Sequence, residues 1–152
     1  MLRISKLSDY AIVLLSCLAS RDASPANAKT VADATRIAQP TVVKLLKMLT
    51  SAGLLNSVQG RHGGYTLARE PKAISLTEII EAVDGPIAMT ECTTDDSGCG
   101  IEHSCLTRQH WLHINNAVKR ALTGVSLADL INPPRVVTAT LHRVPPAAVL
   151  TD

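Results

Sequence analysis

Three cysteines stand close together as Cys92-x6-Cys99-x5-Cys105. Thiolate sulfur is a soft ligand, and three thiolates on one short stretch suit a metal centre that takes its fourth ligand from elsewhere. Gly98 and Gly100 let the backbone turn tightly enough to bring sulfurs together. Three thiols cannot close into a complete set of internal disulfides. A catalytic thiol needs a base and electropositive surroundings. Glu91, Asp95, Asp96 and Glu102 make this stretch acidic instead, so the chain does not read as an enzyme. The same charge makes bare thiolates costly unless a cation offsets it. Two identities stay open on spacing alone. One is a structural zinc held by the cysteines with His103 or His110; the other is an iron–sulfur cluster with three thiolates and one unusual ligand. The fourth cysteine, Cys17, lies in an apolar run and reads as a small core residue.

A second set of residues suits nucleic acid. The net charge of +2 hides an uneven distribution. Residues 1–70 carry nine Lys/Arg against four Asp/Glu, a balance of +5, whereas residues 71–111 carry two against seven, a balance of −5. A basic first half is a candidate face for the phosphate backbone. Within it, Gln39, Thr41, Val43 and Lys44 fall at the start of an expected helix. Gln can pair bidentately with adenine, Thr and Val can meet a thymine methyl group, and Lys47 is placed for phosphate. Arg61 and His62 sit among three glycines at an expected hairpin tip, where an arginine suits the negative potential of a narrow minor groove.

The elements that must position these residues follow from periodicity. Hydrophobic residues make up 46% of the 152-residue chain but aromatics only 2%, with no Phe. Leu, Val, Ile and Ala must do the packing, which favours helices over a β-sandwich. Ser8 is the expected N-cap of a first helix through the apolar run 10–19. A short helix over 29–36 follows a loop. After a tight connection at Ile37, Ala38 and Gln39 comes a helix from Pro40, with Val42, Leu45, Leu46 and Leu49 as its buried stripe and Gly53 at its end. Strands near 54–58 and 65–68 flank the glycine-rich turn and make a hairpin. Ser75-x-x-Glu78 is a capping box that opens another helix. A long helix over 106–122 carries Leu106, Trp111, Ile114, Val118 and Leu122 on its apolar side, and a short turn from Ser126 precedes Pro133 and Pro134. The order predicts a mainly α fold: a winged helix-turn-helix over 1–70 with a β-hairpin wing. A cysteine loop and long C-terminal dimerisation helix follow over 71–132, then a flexible tail over 133–152. No run reaches the ~18 apolar residues of a membrane span. Cysteines without a disulfide pattern fit a reducing compartment, the cytoplasm.

Taken whole, the sequence resembles the winged-helix iron–sulfur transcription regulators of bacteria, the IscR/NsrR type. The resemblance covers residues 1 to about 132. Its marks are Leu2-Arg3-Ile4-Ser5-Lys6-Leu7-Ser8-Asp9-Tyr10 at the start, Gly60-Arg61-His62-Gly63-Gly64-Tyr65, Ile80-Glu81-Ala82-Val83-Asp84-Gly85, the three cysteines and the stretch from Cys105 to Trp111. The start and the wide cysteine spacing are most similar to the subgroup that regulates the SUF iron–sulfur assembly operon. The resemblance implies a homodimer on a promoter palindrome in double-stranded DNA, with a cluster on Cys92, Cys99 and Cys105 controlling DNA affinity. It also implies repression of iron–sulfur cluster assembly genes, of the SUF or ISC type.

The fourth ligand departs from the IscR pattern. That type places a histidine three residues after the last cysteine, where this chain has Arg108. The NsrR type uses an aspartate near the N-terminus of the partner chain, and Asp9 stands at that place. Asp9 therefore ranks first, His110 second and His103 third. A histidine ligand would favour [2Fe–2S], the leading expectation, while Asp9 leaves [4Fe–4S] open. Val43 replaces an acidic base-contacting residue of IscR-type recognition helices, and Gln59 replaces a common wing arginine, so a different operator sequence is expected. A zinc-stabilised DNA-binding regulator and a non-regulatory iron–sulfur carrier are the alternatives.

Overall fold

The computed structural model describes residues 3–21, 24–60, 63–90, 93 and 105–132. Among these, helix α1 (Lys6–Ala19), α2 (Ala28–Thr35) and α3 (Gln39–Ser51) lead into strands β1 (Leu55–Val58) and β2 (Gly64–Leu67). A short 3-10 turn (Pro71–Ala73), α4 (Leu76–Asp84), α5 (Arg108–Thr123) and α6 (Leu127–Ile131) follow. The order is that expected from the sequence: mainly helical, with one hairpin.

Helix α1 starts earlier than its apolar run. Ser5, in an extended conformation, caps it by accepting from the Ser8 N–H at 3.0 Å. Ser8 is thus not the cap. It is fully buried one turn inside the helix, and its hydroxyl donates to Asp84 Oδ2 at 2.7 Å, while the Ser5 hydroxyl donates to Asp84 Oδ1 at 2.8 Å. Asp84 ends α4, where the helix dipole is unfavourable for an anion; two donors at the positive end of α1 compensate it.

Helices α2 and α3 form the helix-turn-helix. Asn27 caps α2, accepting from the Thr30 N–H at 2.8 Å. At its other end Arg36 takes the left-handed conformation, φ 58°, which turns the chain sharply into α3. Gln39 is the first helical residue of α3 rather than part of the connection, and Pro40 sits in the first turn, where a missing N–H costs nothing. Val42, Leu45, Leu46 and Leu49 are all 0% exposed and fill the centre of the core. Gly53, at φ 72°, carries the chain out of the helix.

The hairpin pairs Leu55 with Leu67 and Val58 with Gly64 in antiparallel register. Ala26, just before α2, adds a bridge on the other side of β2: its N–H donates to the Tyr65 carbonyl at 3.1 Å and the Tyr65 N–H donates back at 2.9 Å. This close approach explains Gly64. A Cβ there would lie 2.6 Å from the Ala26 carbonyl carbon. The wing is thereby tied to the base of the helix-turn-helix.

The expected capping box opens α4: the Ser75 hydroxyl accepts from the Glu78 N–H at 3.3 Å and Glu78 Oε2 accepts from the Ser75 N–H at 2.9 Å. The same Ser-x-x-acid pattern opens α6 through Ser126 and Asp129. The two boxes lie side by side, since Ser75 and Ser126 form an antiparallel bridge. That contact explains how a helix of only five residues forms. It places Leu127, 0% exposed, in the same buried cluster as α1, α2, α3, Ile74 and Ile79.

Helix α5 begins at Arg108, two residues later than the apolar pattern predicts. Leu106 precedes it and is 93% exposed. Of its 16 residues only Asn115 is buried. It leans on α4 through Lys119–Glu81 at 2.7 Å and through the Thr77 and Thr123 hydroxyls at 2.9 Å.

Candidate nucleic-acid interface and cysteine site

The buried stripe of α3 fixes which residues face outward. With 3.6 residues per turn, positions opposite Val42, Leu45, Leu46 and Leu49 project away from the core. Gln39, Lys44 and Lys47 are exposed, and Thr41 and Val43 are half-buried at the edge of the stripe. Of the five residues expected to meet DNA from this helix, three therefore stand clear of the core and two lie at its edge. No acidic residue occurs in α3, and neither lysine has an ion-pair partner among the described residues. No side chain caps the start of α3, so the positive end of its dipole stays open to an anion. In the wing, Gly63 donates its N–H to the Gly60 carbonyl at 2.9 Å and Val58 is 51% exposed. Arg61 and His62, the expected wing contacts, lie outside the described residues.

The cysteine site is described at one end. Cys105 is half-buried just ahead of α5. Its Sγ lies 3.4 Å from Thr107 Oγ1. The Thr107 hydroxyl, then the backbone N–H groups of Thr107 and Arg108 and the Arg108 charge, hold its thiol below the ordinary cysteine range against slight burial. Stabilising the thiolate is what a metal ligand requires. The donor chemistry of this residue therefore fits a thiolate-bound iron or zinc centre. Cys92, Cys99 and His103 lie outside the described residues. Asp9 is exposed in the first turn of α1, and His110 is exposed in the first turn of α5. Among the described residues of one chain, no three His, Cys, Asp or Glu side chains come together in a metal-sized group.

Two features went unread in the sequence. One is the latch of Ser5 and Ser8 on Asp84. The other is Asn115, whose amide accepts from the Met89 N–H at 3.1 Å and donates to the Ile87 carbonyl at 3.2 Å. The signal for Asn115 was present as a polar residue beside the apolar positions of α5. The signal for Asp84 was not, because its partners are more than 70 residues away.

A helix-turn-helix with an uncapped, acid-free second helix and an attached hairpin defines a winged-helix DNA-binding transcription regulator. More narrowly, the chain belongs to the Rrf2 family: the family model described as an iron-dependent transcriptional regulator matches residues 4–133. CymR of Bacillus subtilis, an HTH-type transcriptional regulator, is 31% identical over 130 residues, covering 85% of this chain and 89% of the relative. The solved structure of CymR, the global cysteine regulator of B. subtilis, superposes with a TM-score of 0.67 at 30% identity, covering 87% of this chain and 98% of that one. The solved structure of T. potens IscR gives a TM-score of 0.65 at 26% identity, covering 86% of this chain and 87% of that one. These relatives are regulators and not enzymes. Among the described residues, no helix is long and apolar enough to cross a membrane.

Proposed function

We propose that this chain is a cytoplasmic, homodimeric repressor of SUF- or ISC-type iron–sulfur assembly genes, whose DNA affinity depends on an iron–sulfur cluster. The carrying observation is the pairing, in one chain, of a basic winged helix with three closely spaced cysteines. Residues 1–70 read DNA, residues 71–132 bind the cluster and dimerise, and residues 133–152 form a tail. Gln39, Thr41, Val43 and Lys44 meet base edges, Lys47 meets phosphate, and Arg61 and His62 enter the neighbouring minor groove. The half-exposed row of Trp111, Ile114, Val118 and Leu122 on α5 supports pairing with a second copy.

When bound, the cluster supplies a centre that responds to iron supply and to oxidants. Cys92, Cys99 and Cys105 donate thiolates to it, and Asp9 of the partner chain supplies a carboxylate as the first choice of fourth ligand. Both Asp9 and the next choice, His110, are exposed, so neither is committed to the core; His103 ranks third. [2Fe–2S] is the favoured form, and Asp9 as a ligand leaves [4Fe–4S] open.

Anaerobic purification is expected to give a brown protein with visible charge-transfer absorption, altered in Asp9→Ala. A colourless protein with one zinc per chain would overturn the cluster and leave a zinc-stabilised regulator. Binding to the promoter of an iron–sulfur assembly operon is expected to weaken steeply with salt. Absence of such binding would leave a cluster carrier. The likeness to CymR favours one second reading, a regulator of cysteine genes without a cluster. Iron analysis of the same preparation separates the two.

A further inference from the structure

We infer that Arg36 is a further DNA contact: held in the left-handed turn ahead of α3, its guanidinium pairs with a phosphate flanking the groove that the start of α3 enters. The inference rests on the reading of α3 as the helix that meets DNA.

Among the described residues, Arg36 is the single residue other than glycine with a positive φ, at 58°. Left-handed backbone crowds the Cβ of an L-residue against the following carbonyl, and a helix end usually gives that place to Gly or Asn. Arginine has neither glycine's missing Cβ nor asparagine's short side chain, which can bond locally. Its neighbours hold the conformation. The Thr35 hydroxyl donates to the Val31 carbonyl at 2.8 Å and accepts from the Ile37 N–H at 3.4 Å, so it bridges the chain across Arg36. Ile37 is itself buried in the core and anchors the next position. The turn is thus fixed on both sides. A strained position that glycine would relax points to a role for the side chain it carries.

Inside the fold that side chain makes no contact that would account for it. Arg36 is exposed, with no ion pair or side-chain hydrogen bond among the described residues. Asp33, exposed one turn back on α2, is the nearest acid in sequence and is not paired with it. A cation inside the last turn of α2 would favour that helix's dipole without a strained backbone, and the last turn holds none.

Outward, the surroundings suit an anion. Exposure runs from Arg36 to Pro40, interrupted only by Ile37, so the turn and the start of α3 share one surface. Helix α3 brings no acid to it in its first turn. Gln39 is three residues on, within about 10 Å of chain. Base edges fall to Gln39 and the residues after it, whereas a residue on the turn before them meets the sugar–phosphate strand at the edge of the groove. The planar guanidinium can hold two phosphate oxygens at once, which an ammonium cannot.

The test uses the full chain and two duplexes, one enriched by wild type from a random-sequence pool and one of mixed sequence. Arg36→Gly relaxes the backbone and removes the charge. Arg36→Lys keeps the charge and the strain but lacks the planar fork, and Lys47→Ala is the reference for α3. The Gly variant is expected to unfold at the wild-type temperature or above, yet to bind both duplexes about tenfold more weakly at about 0.1 M salt. Its plot of log affinity against log salt should be shallower by about 0.9, one phosphate contact fewer. The Lys variant should keep the wild-type slope and lose less affinity. An unchanged slope in the Gly variant, beside a shallower one in Lys47→Ala, overturns the inference and leaves the reading of α3 intact. Unchanged slopes in both, or wild type that binds neither duplex, overturn that reading and the inference with it. A lower Tm with the wild-type slope would make Arg36 a cap for α2, which also overturns the DNA contact.

Discussion

Helices α3 and α5 are similar in length and carry similar apolar periodicity, yet their fates differ. Helix α3 buries Val42, Leu45, Leu46 and Leu49 completely. Helix α5 buries only Asn115 and leaves Ile114 41% exposed. Period alone says that a helix has an apolar side; it does not say whether that side is covered by its own chain. For α3 the covering comes from α1, α2, β1 and α4, and the opposite face, with Gln39, Lys44 and Lys47, stays exposed. Helix α5 is tied to its own chain by polar contacts through Lys119, Thr123 and Asn115, and its apolar row is only half-covered, as the proposed pairing with a second copy requires.

This contrast can be broken or sharpened by substitution. The largest effect is expected from Leu46→Ala, which should cost about 2–5 kcal/mol in urea unfolding because the cavity lies at the centre of the core. Ile114→Ala should cost far less in the same assay; equal losses would erase the distinction between the helices. Next comes Ile114→Lys, which should weaken self-association about a hundredfold in sedimentation while leaving helicity intact. A dimer of undiminished strength would mean that α5 is not the pairing surface. Smaller again is Lys47→Ala, expected to weaken DNA uniformly across sequences and lower the salt slope by about one. An unchanged slope would remove Lys47 from the interface.

The smallest effect concerns Glu78, which Arg69 and Ser75 surround. Partial burial pushes its carboxyl up, but bonds from the Ser75 N–H, Arg69 and the Ser75 hydroxyl outweigh this and leave it below the ordinary glutamate value of 4.5. Its folded value lies below its unfolded one, so its contribution is present above about pH 4.5 and fades as the pH falls through the lowered value. The site is half-exposed, so the gain is about a few tenths of a kcal/mol. Glu78→Gln should lower Tm slightly at neutral pH, with the difference from wild type vanishing as the pH falls through that window.

The sequence carried much of this arrangement because most signals were local. The α3 stripe, the Ser75 capping box and the Gly-rich hairpin turn each depend on residues within a few positions of one another, and each has its structural counterpart. The Ser8 expectation failed for the opposite reason. A serine before an apolar run is a sound N-cap signal, but Ser5 was also available and Ser8 was taken by Asp84, a partner remote in sequence. Likewise, the apolar pattern of α5 included Leu106, because periodicity cannot tell a helical residue from an apolar residue in the approach to a helix. Gly64 could be recognised as a turn glycine, yet its close contact with Ala26 belongs to three-dimensional packing. The site was legible in part: Gln39, Lys44 and Lys47 stand outward as their spacing requires, whereas the bonds holding Ile87 and Met89 to Asn115 join segments more than 20 residues apart.

The burial of Leu127 has a consequence for the order of synthesis. Translation proceeds from the N-terminus, so Cys92, Cys99 and Cys105 are made before Leu127, the last fully buried core residue among those described. The winged helix cannot close around α6 until residue 127 has left the ribosome. On a nascent chain, the proposed ligands therefore emerge before the core that α6 completes.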